Sequence, residues 1–419
     1  MYPLRARVAR WTPCAAMMLL SFISLMDRSI LGILSPSILH DLHLTAAQYG
    51  QAIFVFSICY MVANPIWGLA MDRAGIVATT CAAVALWSLA SGGHAVLAGL
   101  VGLCVARGLL GFGEGAAFPA GLKTVTETLP AERRSFGLGL AYSGGSLGAL
   151  LTPLVVVPLA GRWGWRVTFV LSAVVGFAWI GGWLLLRTGG LYRVIPKQDA
   201  PVPGALAGRG RWNRDMFATS LVYGLGAAPI AFGLYAAPLY LTRVMHLPQS
   251  ALGGLLWVPP AGWEAGYMVW GSVADWQRKR EAAFPDKGPV GPLWLFLLFA
   301  VGGMGLCAIP LCAGLPVAWT MALFFLVMFT TGGYVVIALA SGAQRQAAEH
   351  TGFLAGFSIS GWSLVTGVLM WQVGRMIDRG EFTQTFWLVA ALPWVGVTVW
   401  RILSGPARPA GRKIAGVEA

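Results

Sequence analysis

Five ionisable side chains stand deep inside otherwise apolar runs of this 419-residue sequence: Asp27, Arg28, Arg107, Glu114 and Glu264. A guanidinium presents a planar fork of donors that suits a carboxylate better than an ammonium does. A carboxylate in a low-dielectric setting is a proton acceptor whose charge answers to its neighbours. Two of each within reach of one another could bind an organic anion and exchange protons against it. The competing explanation is structural: two buried ion pairs that lock two elements together. Against it, a lock needs one pair, and buried pairs are poor stabilisers.

Other chemistry is sparse. His40, His43, His94, His246 and His350 all fall at the edges of apolar runs, so no histidine proton relay is expected. Cys14, Cys59, Cys81, Cys104, Cys307 and Cys312 sit in apolar stretches with neither metal-ligand nor disulfide spacing. They read as small hydrophobes. The run Gly108-Leu-Leu-Gly111-Phe-Gly-Glu114-Gly115 lacks the preceding strand and the following Lys-Ser/Thr of a phosphate loop. It reads, like Gly144-x-x-x-Gly148, as a close helix contact. No Ser/His/Asp, zinc or nucleotide constellation is present in the sequence. An enzyme is therefore not expected, nor any cofactor; a proton gradient would be the energy source.

The elements that must position the five charges are legible from composition. Hydrophobic residues make up 57% of the chain and charged residues only 11%, against about 25% charged in soluble domains. That excludes a water-soluble enzyme, a disordered chain and a secreted disulfide scaffold. A membrane span needs about 20 mostly apolar residues. Twelve such stretches are predicted, at 13–39, 48–70, 76–94, 97–121, 136–160, 167–186, 216–240, 251–274, 291–312, 317–342, 351–376 and 383–403. The expected fold is an all-α integral membrane protein of twelve transmembrane helices in two six-helix bundles, 1–186 and 216–419. A Pro-, Gly- and Arg-rich cytoplasmic linker, 187–215, joins them. Gly68-x-x-x-Asp72 and Gly271-x-x-x-Asp275 recur at matched positions in the two halves, which suits a transporter with its site between the repeats.

The net charge of +13 is loop charge. With an even number of spans both termini share a side, and 22 of the 29 Lys and Arg residues fall on it; five lie on the other, and Arg28 and Arg107 are inside spans. The asymmetry places both termini in the cytoplasm. It also removes nucleic acid as a partner, leaving the lipid bilayer.

At about 1.5 Å per residue, Asp27, Arg28 and Arg107 lie at similar depths below the surface opposite the termini, so an Asp27–Arg107 contact is within reach. Glu114, seven residues after Arg107, shares its face. With both acids ionised the four charges cancel. A monoanionic guest then leaves one uncompensated negative charge, and protonating an acid restores neutrality. Anion and proton thus favour each other's binding, the minimum for symport. Glu264 follows Pro259-Pro260; it either faces the cavity and caps backbone freed by the prolines, or is a third proton site. Tyr60, Tyr235 and Trp362 fall mid-span and supply walls suited to a sugar-like ligand, as Ser143 and Ser358 supply hydroxyls. Core packing explains each of them equally well.

Several local patterns go together. Asp27-Arg28-x-x-Leu31 in span 1 is one. Arg107-Gly-Leu-Leu-Gly-Phe-Gly-Glu114-Gly-Ala-Ala-Phe118-Pro119-Ala120 is another. Ser143-Gly-Gly-Ser146-x-Gly148-Ala149 and Trp163-Gly-Trp165-Arg166-x-x-Phe169 complete the set. With Gly68, Asp72-Arg73-x-Gly75 and twelve spans, the chain resembles the anion:cation symporter family of the major facilitator superfamily, including bacterial hexuronate and galactonate-like proton symporters. The resemblance covers the first half specifically and the second half generically. It implies that Arg28 and Arg107 engage the anion, that Asp27 and Glu114 carry protons, and that Tyr60 lines the cavity. It also implies that Asp72 and Arg73 belong to a gate on the cytoplasmic side. It implies proton-driven import of a sugar acid by a monomer of the inner (plasma) membrane. Ile76-Val77 stand where the superfamily usually carries basic residues, and Gly144-Gly145 where some members place a polar ligand-binding side chain. An anion exchanger, a drug or neutral-sugar carrier, and an organic-acid sensor are the alternatives.

Overall fold

The computed structural model describes residues 4–130, 133–194, 212–283, 291–346 and 351–404. Helices make up the regular structure of the described residues. Eleven of them are long and apolar enough to span a membrane. The twelfth, Val258–Ala283, carries Glu264 and a charged end, which dilute its apolar character. Large apolar side chains such as Leu147, Leu151, Val174 and Val269 are exposed, as a lipid-facing surface requires. The cysteines are free.

Several boundaries differ from the hydropathy reading, for backbone reasons. Span 1, Leu4–Ile33, stops at Leu34, and a separate short helix Ser35–Asp41 begins with Pro36 in its first turn. Proline lacks an amide N–H, which costs nothing at that position. Span 4 is two helices, Leu100–Glu114 and Ala117–Thr128, so Lys123 is helical rather than in a loop. Span 7 is three pieces, Arg214–Gly226, Ala228–Tyr235 and Ala237–Arg243, the last two each starting on a proline-containing turn. Span 8 becomes a continuous helix only at Val258, which puts Pro259 and Pro260 in its first turn. Glu264 therefore has no proline-freed backbone to cap there. Of the expected linker 187–215, residues 195–211 lie outside the described residues.

Spans 2 (Ala46–Ala74) and 11 (Thr351–Asp378) pack most closely across the two halves. They meet on the far side, where neither span 1 begins nor span 12 (Phe382–Leu403) ends. The approach is backbone to backbone. A Cβ on Gly50 would lie 2.9 Å from Trp371 Cα, and one on Gly374 3.0 Å from Ala47 Cα. The Asp378 carboxylate accepts from the amides of Ala46 and Ala47, both at 2.8 Å, and so occupies the N-terminus of span 2. Gln249 donates to the Ile33 carbonyl at 2.9 Å, and the Tyr49 hydroxyl to the Tyr235 carbonyl at 3.0 Å. These bonds join the halves at the far side.

Candidate functional site

The centre of the N-terminal half holds the four charges, and helix geometry decides how they pair. Ser24 and Arg28, four residues apart on one face of span 1, both reach Glu114 of span 4. Arg28 Nη2 donates to Glu114 Oε2 at 2.8 Å, its Nε at 3.2 Å, and the Ser24 hydroxyl at 3.1 Å. Arg28 and Glu114 are 5% and 0% exposed.

Arg107 is fully buried, and none of its three guanidinium nitrogens has a hydrogen-bond partner among the described residues. Its Cζ lies 4.5 Å from the ring centre of Phe56. Arg28 approaches the same ring at 5.0 Å and that of Tyr60 at 4.7 Å. Phe56 and Tyr60 stack at 6.0 Å. One aromatic face of span 2 thus carries two guanidiniums, each gaining a cation–π contact. The glycines of span 4 permit this approach: a Cβ on Gly115 would stand 2.7 Å from Ala63 Cβ, and one on Gly111 would collide with the Phe56 carbonyl. That is the helix-contact role expected of the glycine run.

Asp27 does not pair with Arg107. Adjacent helix residues project about 100° apart, so Asp27 turns away from the Arg28 face. Its Oδ1 accepts from Ser91 of span 3 (Ile76–Gly93) at 3.1 Å and from Ser172 of span 6 (Trp165–Thr188). Its Oδ2 has no partner among the described residues, and the residue is 1% exposed. The two-pair lock weighed from the sequence is therefore not what forms: there is one ion pair, one unpaired cation and one acid held by serines. His94 does fall at the end of span 3, and it is fully buried there.

The remaining candidates divide. Tyr60 and Tyr235 are buried; Tyr235 packs on Gly32 of span 1 and lies in electrostatic reach of both arginines. Ser358 is buried with its hydroxyl unpartnered among the described residues. The Trp362 indole donates to the Ala227 carbonyl at the break in span 7, 3.2 Å away. Ser143 is not at the site. It is exposed on the same stripe of span 5 (Arg134–Trp163) as Leu147 and Leu151, and its hydroxyl donates to the Leu140 carbonyl. Three residues on and about 60° around the helix, Ser146 lies past the border of that stripe and donates to Glu264 across the two halves. On the near side, Asp72 pairs with Lys123 at 2.5 Å and Gly68 packs towards Pro119, while Arg73 and Asp275 are exposed. Phe56 and Ser24 were not singled out from the sequence. The i, i+4 spacing was the available signal for both, to Arg28 for Ser24 and to Tyr60 for Phe56.

The profile of the Major Facilitator Superfamily matches residues 17–370. The chain is 31% identical over 176 residues to the hexuronate transporter of Escherichia coli strain K12, which covers 42% of this chain and 41% of that one. The matched segment thus spans about two fifths of that relative's length. It is 37% identical over 161 residues to the hexuronate transporter of Bacillus subtilis, covering 38% of each chain. It is also 25% identical over 383 residues to a probable L-galactonate transporter of Escherichia coli K12, covering 85% of this chain and 82% of that one. Among solved structures, a bacterial homolog of the human lysosomal transporter Spinster, in an inward-facing and occupied conformation, superposes with a TM-score of 0.75. That likeness, at 15% identity over 97% of this chain and 100% of the other, is one of fold. The family match over most of the sequence, the eleven candidate spans with the further helix Val258–Ala283 among the described residues, and this shared fold agree: the chain belongs to the Major Facilitator Superfamily.

Proposed function

We propose that this protein is a proton-coupled symporter that imports a sugar acid, a hexuronate or hexonate, across the inner membrane with both termini cytoplasmic. The observation that carries the reading is Arg107: a guanidinium with 0% exposure, backed by Phe56, and with no hydrogen-bonded partner for its three nitrogens among the described residues. A buried charge without a counter-ion costs several kcal/mol. An entering carboxylate offsets that cost by a bidentate pair.

Coupling follows from the neighbouring pair. Arg28 is held by Glu114, so a substrate carboxylate competes with Glu114 for it. A proton on Glu114 ends that competition and leaves Arg28 for the anion, beside the Tyr60 ring that can face the sugar. Loss of the anion returns Arg28 to Glu114 and favours release of the proton. If both acids load, two protons accompany each monoanion, and the membrane potential contributes about 2.3 kcal/mol per 100 mV for the net charge moved. The named substrates of the relatives, hexuronate and L-galactonate, fit this chemistry.

The test is uptake by proteoliposomes under an imposed pH gradient, screened with labelled hexuronates, hexonates and dicarboxylates. The wild type should concentrate a sugar acid. Glu114→Gln should still exchange it but not concentrate it. Arg107→Gln should lose both. Failure of every organic acid to accumulate under any gradient refutes symport.

A further inference from the structure

Asp27 raises a problem that the anion site does not answer. It lies off the Arg28–Glu114 face, 1% exposed, wedged among spans 1, 3 and 6. One titratable side chain lies one turn nearer the far side, at the end of span 3. His94, which follows the last residue of span 3, is 0% exposed. Its Nδ1 lies 2.8 Å from the Ala90 carbonyl; a carbonyl only accepts, which assigns the neutral ring's proton to Nδ1 and leaves Nε2 as the basic nitrogen. That Nε2 is buried with no partner among the described residues, as is Asp27 Oδ2.

Two helices present matched pairs here. Span 3 carries Ser91 and His94, and span 6 carries Phe169 and Ser172, each pair three residues apart and so on one face. Ser91 and Ser172 both donate to Asp27 Oδ1. One turn nearer the far side, about 5 Å along the helix, the His94 ring stacks on Phe169 with centroids 4.5 Å apart. Above them a polar cover closes the far side. The Asp41 carboxylate accepts from the Trp165 indole at 2.9 Å and from Arg166 at 2.8 Å. Arg166 also reaches the Leu97 carbonyl at 3.4 Å. Trp165 meets Phe169 edge-on at 6.0 Å. The Asp41–Arg166 pair is roughly half exposed on both partners, at 48% and 42%.

We infer that His94 is a proton relay between the far side and Asp27, serving the acid from behind the anion site. The inference deepens the proton-coupled reading above and rests on it. In the step, Nε2 takes a proton from the far side to give an imidazolium. A water bridging that helical turn accepts the Nε2 proton and passes one of its own to the Ser91 hydroxyl, which in turn gives its proton to Asp27 Oδ1. Imidazole and hydroxyl end unchanged, and the carboxylate becomes a carboxylic acid.

The charges facing the imidazole are few. Arg107 from span 4 acts on it and also on Asp27. Asp27 of span 1 meets span 3 one turn away, at Ser91, the Asp41–Arg166 pair sits at the start of span 6, and span 3 adjoins the ring through the Ala90 carbonyl. Arg107 thereby links the two sites. A carboxylate bound to Arg107 cancels its charge as seen from the imidazole and from Asp27. Substrate and proton then favour each other without touching.

The test uses the full chain with His94→Asn, which keeps an Nδ1-like donor for Ala90, and His94→Phe, which keeps the stack on Phe169. Thermal unfolding in detergent confirms that each variant is folded. Infrared difference spectroscopy after a pH jump reads the carboxylic C=O band that Asp27→Asn abolishes. The band should appear about 100-fold or more slowly in both variants, the scale of a lost proton-transfer group. In proteoliposomes, gradient-driven uptake should fall relative to counterflow. Unchanged kinetics of the Asp27 band overturn the relay, as does an equal fall of driven uptake and counterflow. The infrared arm needs no substrate. A wild type that shows His94-dependent protonation of Asp27 but concentrates no sugar acid therefore refutes the transport reading and leaves the relay standing.

Discussion

Replacing Gly50 with alanine should force the far side open. In the present conformation the new Cβ would collide with the Met370 carbonyl and stand 2.9 Å from Trp371 Cα, against 3.4 Å or more for ordinary contact. Both obstacles are backbone, so no rotamer change relieves them, and spans 2 and 11 must part by about half an ångström or more. Overpacking of this kind costs roughly 1–3 kcal/mol, charged to the closed arrangement alone. Once the spans separate, alanine is a better helix former than glycine and carries no penalty. The ratio of open to closed far side should therefore rise by about 5- to 150-fold. Gly374→Ala, whose Cβ would meet the Ala46 carbonyl and Ala47 Cα from the other helix, should act in the same direction. Gly161→Ala is the control, since nothing lies within 4 Å of its Cβ position. Distances between spin labels at the far ends of spans 2 and 11 measure the shift. An unchanged distance distribution in both Gly50→Ala and Gly374→Ala would show that this helix contact is not what holds the far side shut.

Two further outcomes are expected. Ser146→Ala removes the donor that Glu264 receives across the halves; a hydrogen bond to a charged group contributes about 1.5–3 kcal/mol, so the same label distances should show the present conformation depopulated, and Glu264→Gln should do so less because it can still accept. Hydrogen bonds from Trp165 and Arg166 hold the Asp41 carboxyl below its ordinary value. Its folded pKa is the lower one, so the contribution is complete above the unfolded value of about 3.9 and is lost as pH falls through the folded value. Asp41→Asn should therefore lower the thermal unfolding temperature slightly at pH 5–8, and the difference from wild type should vanish in acid. A constant difference down to pH 2 would contradict that linkage.

Depth could be read from the chain, and rotation could not. Matching depths made Asp27 and Arg107 look like partners, yet Asp27 and Arg28 are neighbours about 100° apart on the helix, and only one of them can face span 4. The structure gives that place to Arg28. The same limit applies to Ser143 and Ser146, which stand only about 60° apart on the helix, at the border between the exposed stripe and the packed face, so that the second alone reaches the other half. The burial of His94 was not legible for a related reason. The residue sits at the end of an apolar run, but a single 3-10 turn, His94–Val96, folds its ring under Phe169 of span 6.

The sequence by itself determined that this chain lies in a bilayer, where its spans run, and that four charges must be accounted for at one depth. Those conclusions follow from the cost of polar groups in hydrocarbon, which acts on each segment separately. Tertiary structure alone decided that Glu114 takes Arg28, that Arg107 has no hydrogen-bond partner among the described residues, and that Asp27 accepts from Ser91 and Ser172 instead. Pairing depends on how each helix is turned about its axis, and that is set by packing between segments far apart in the chain.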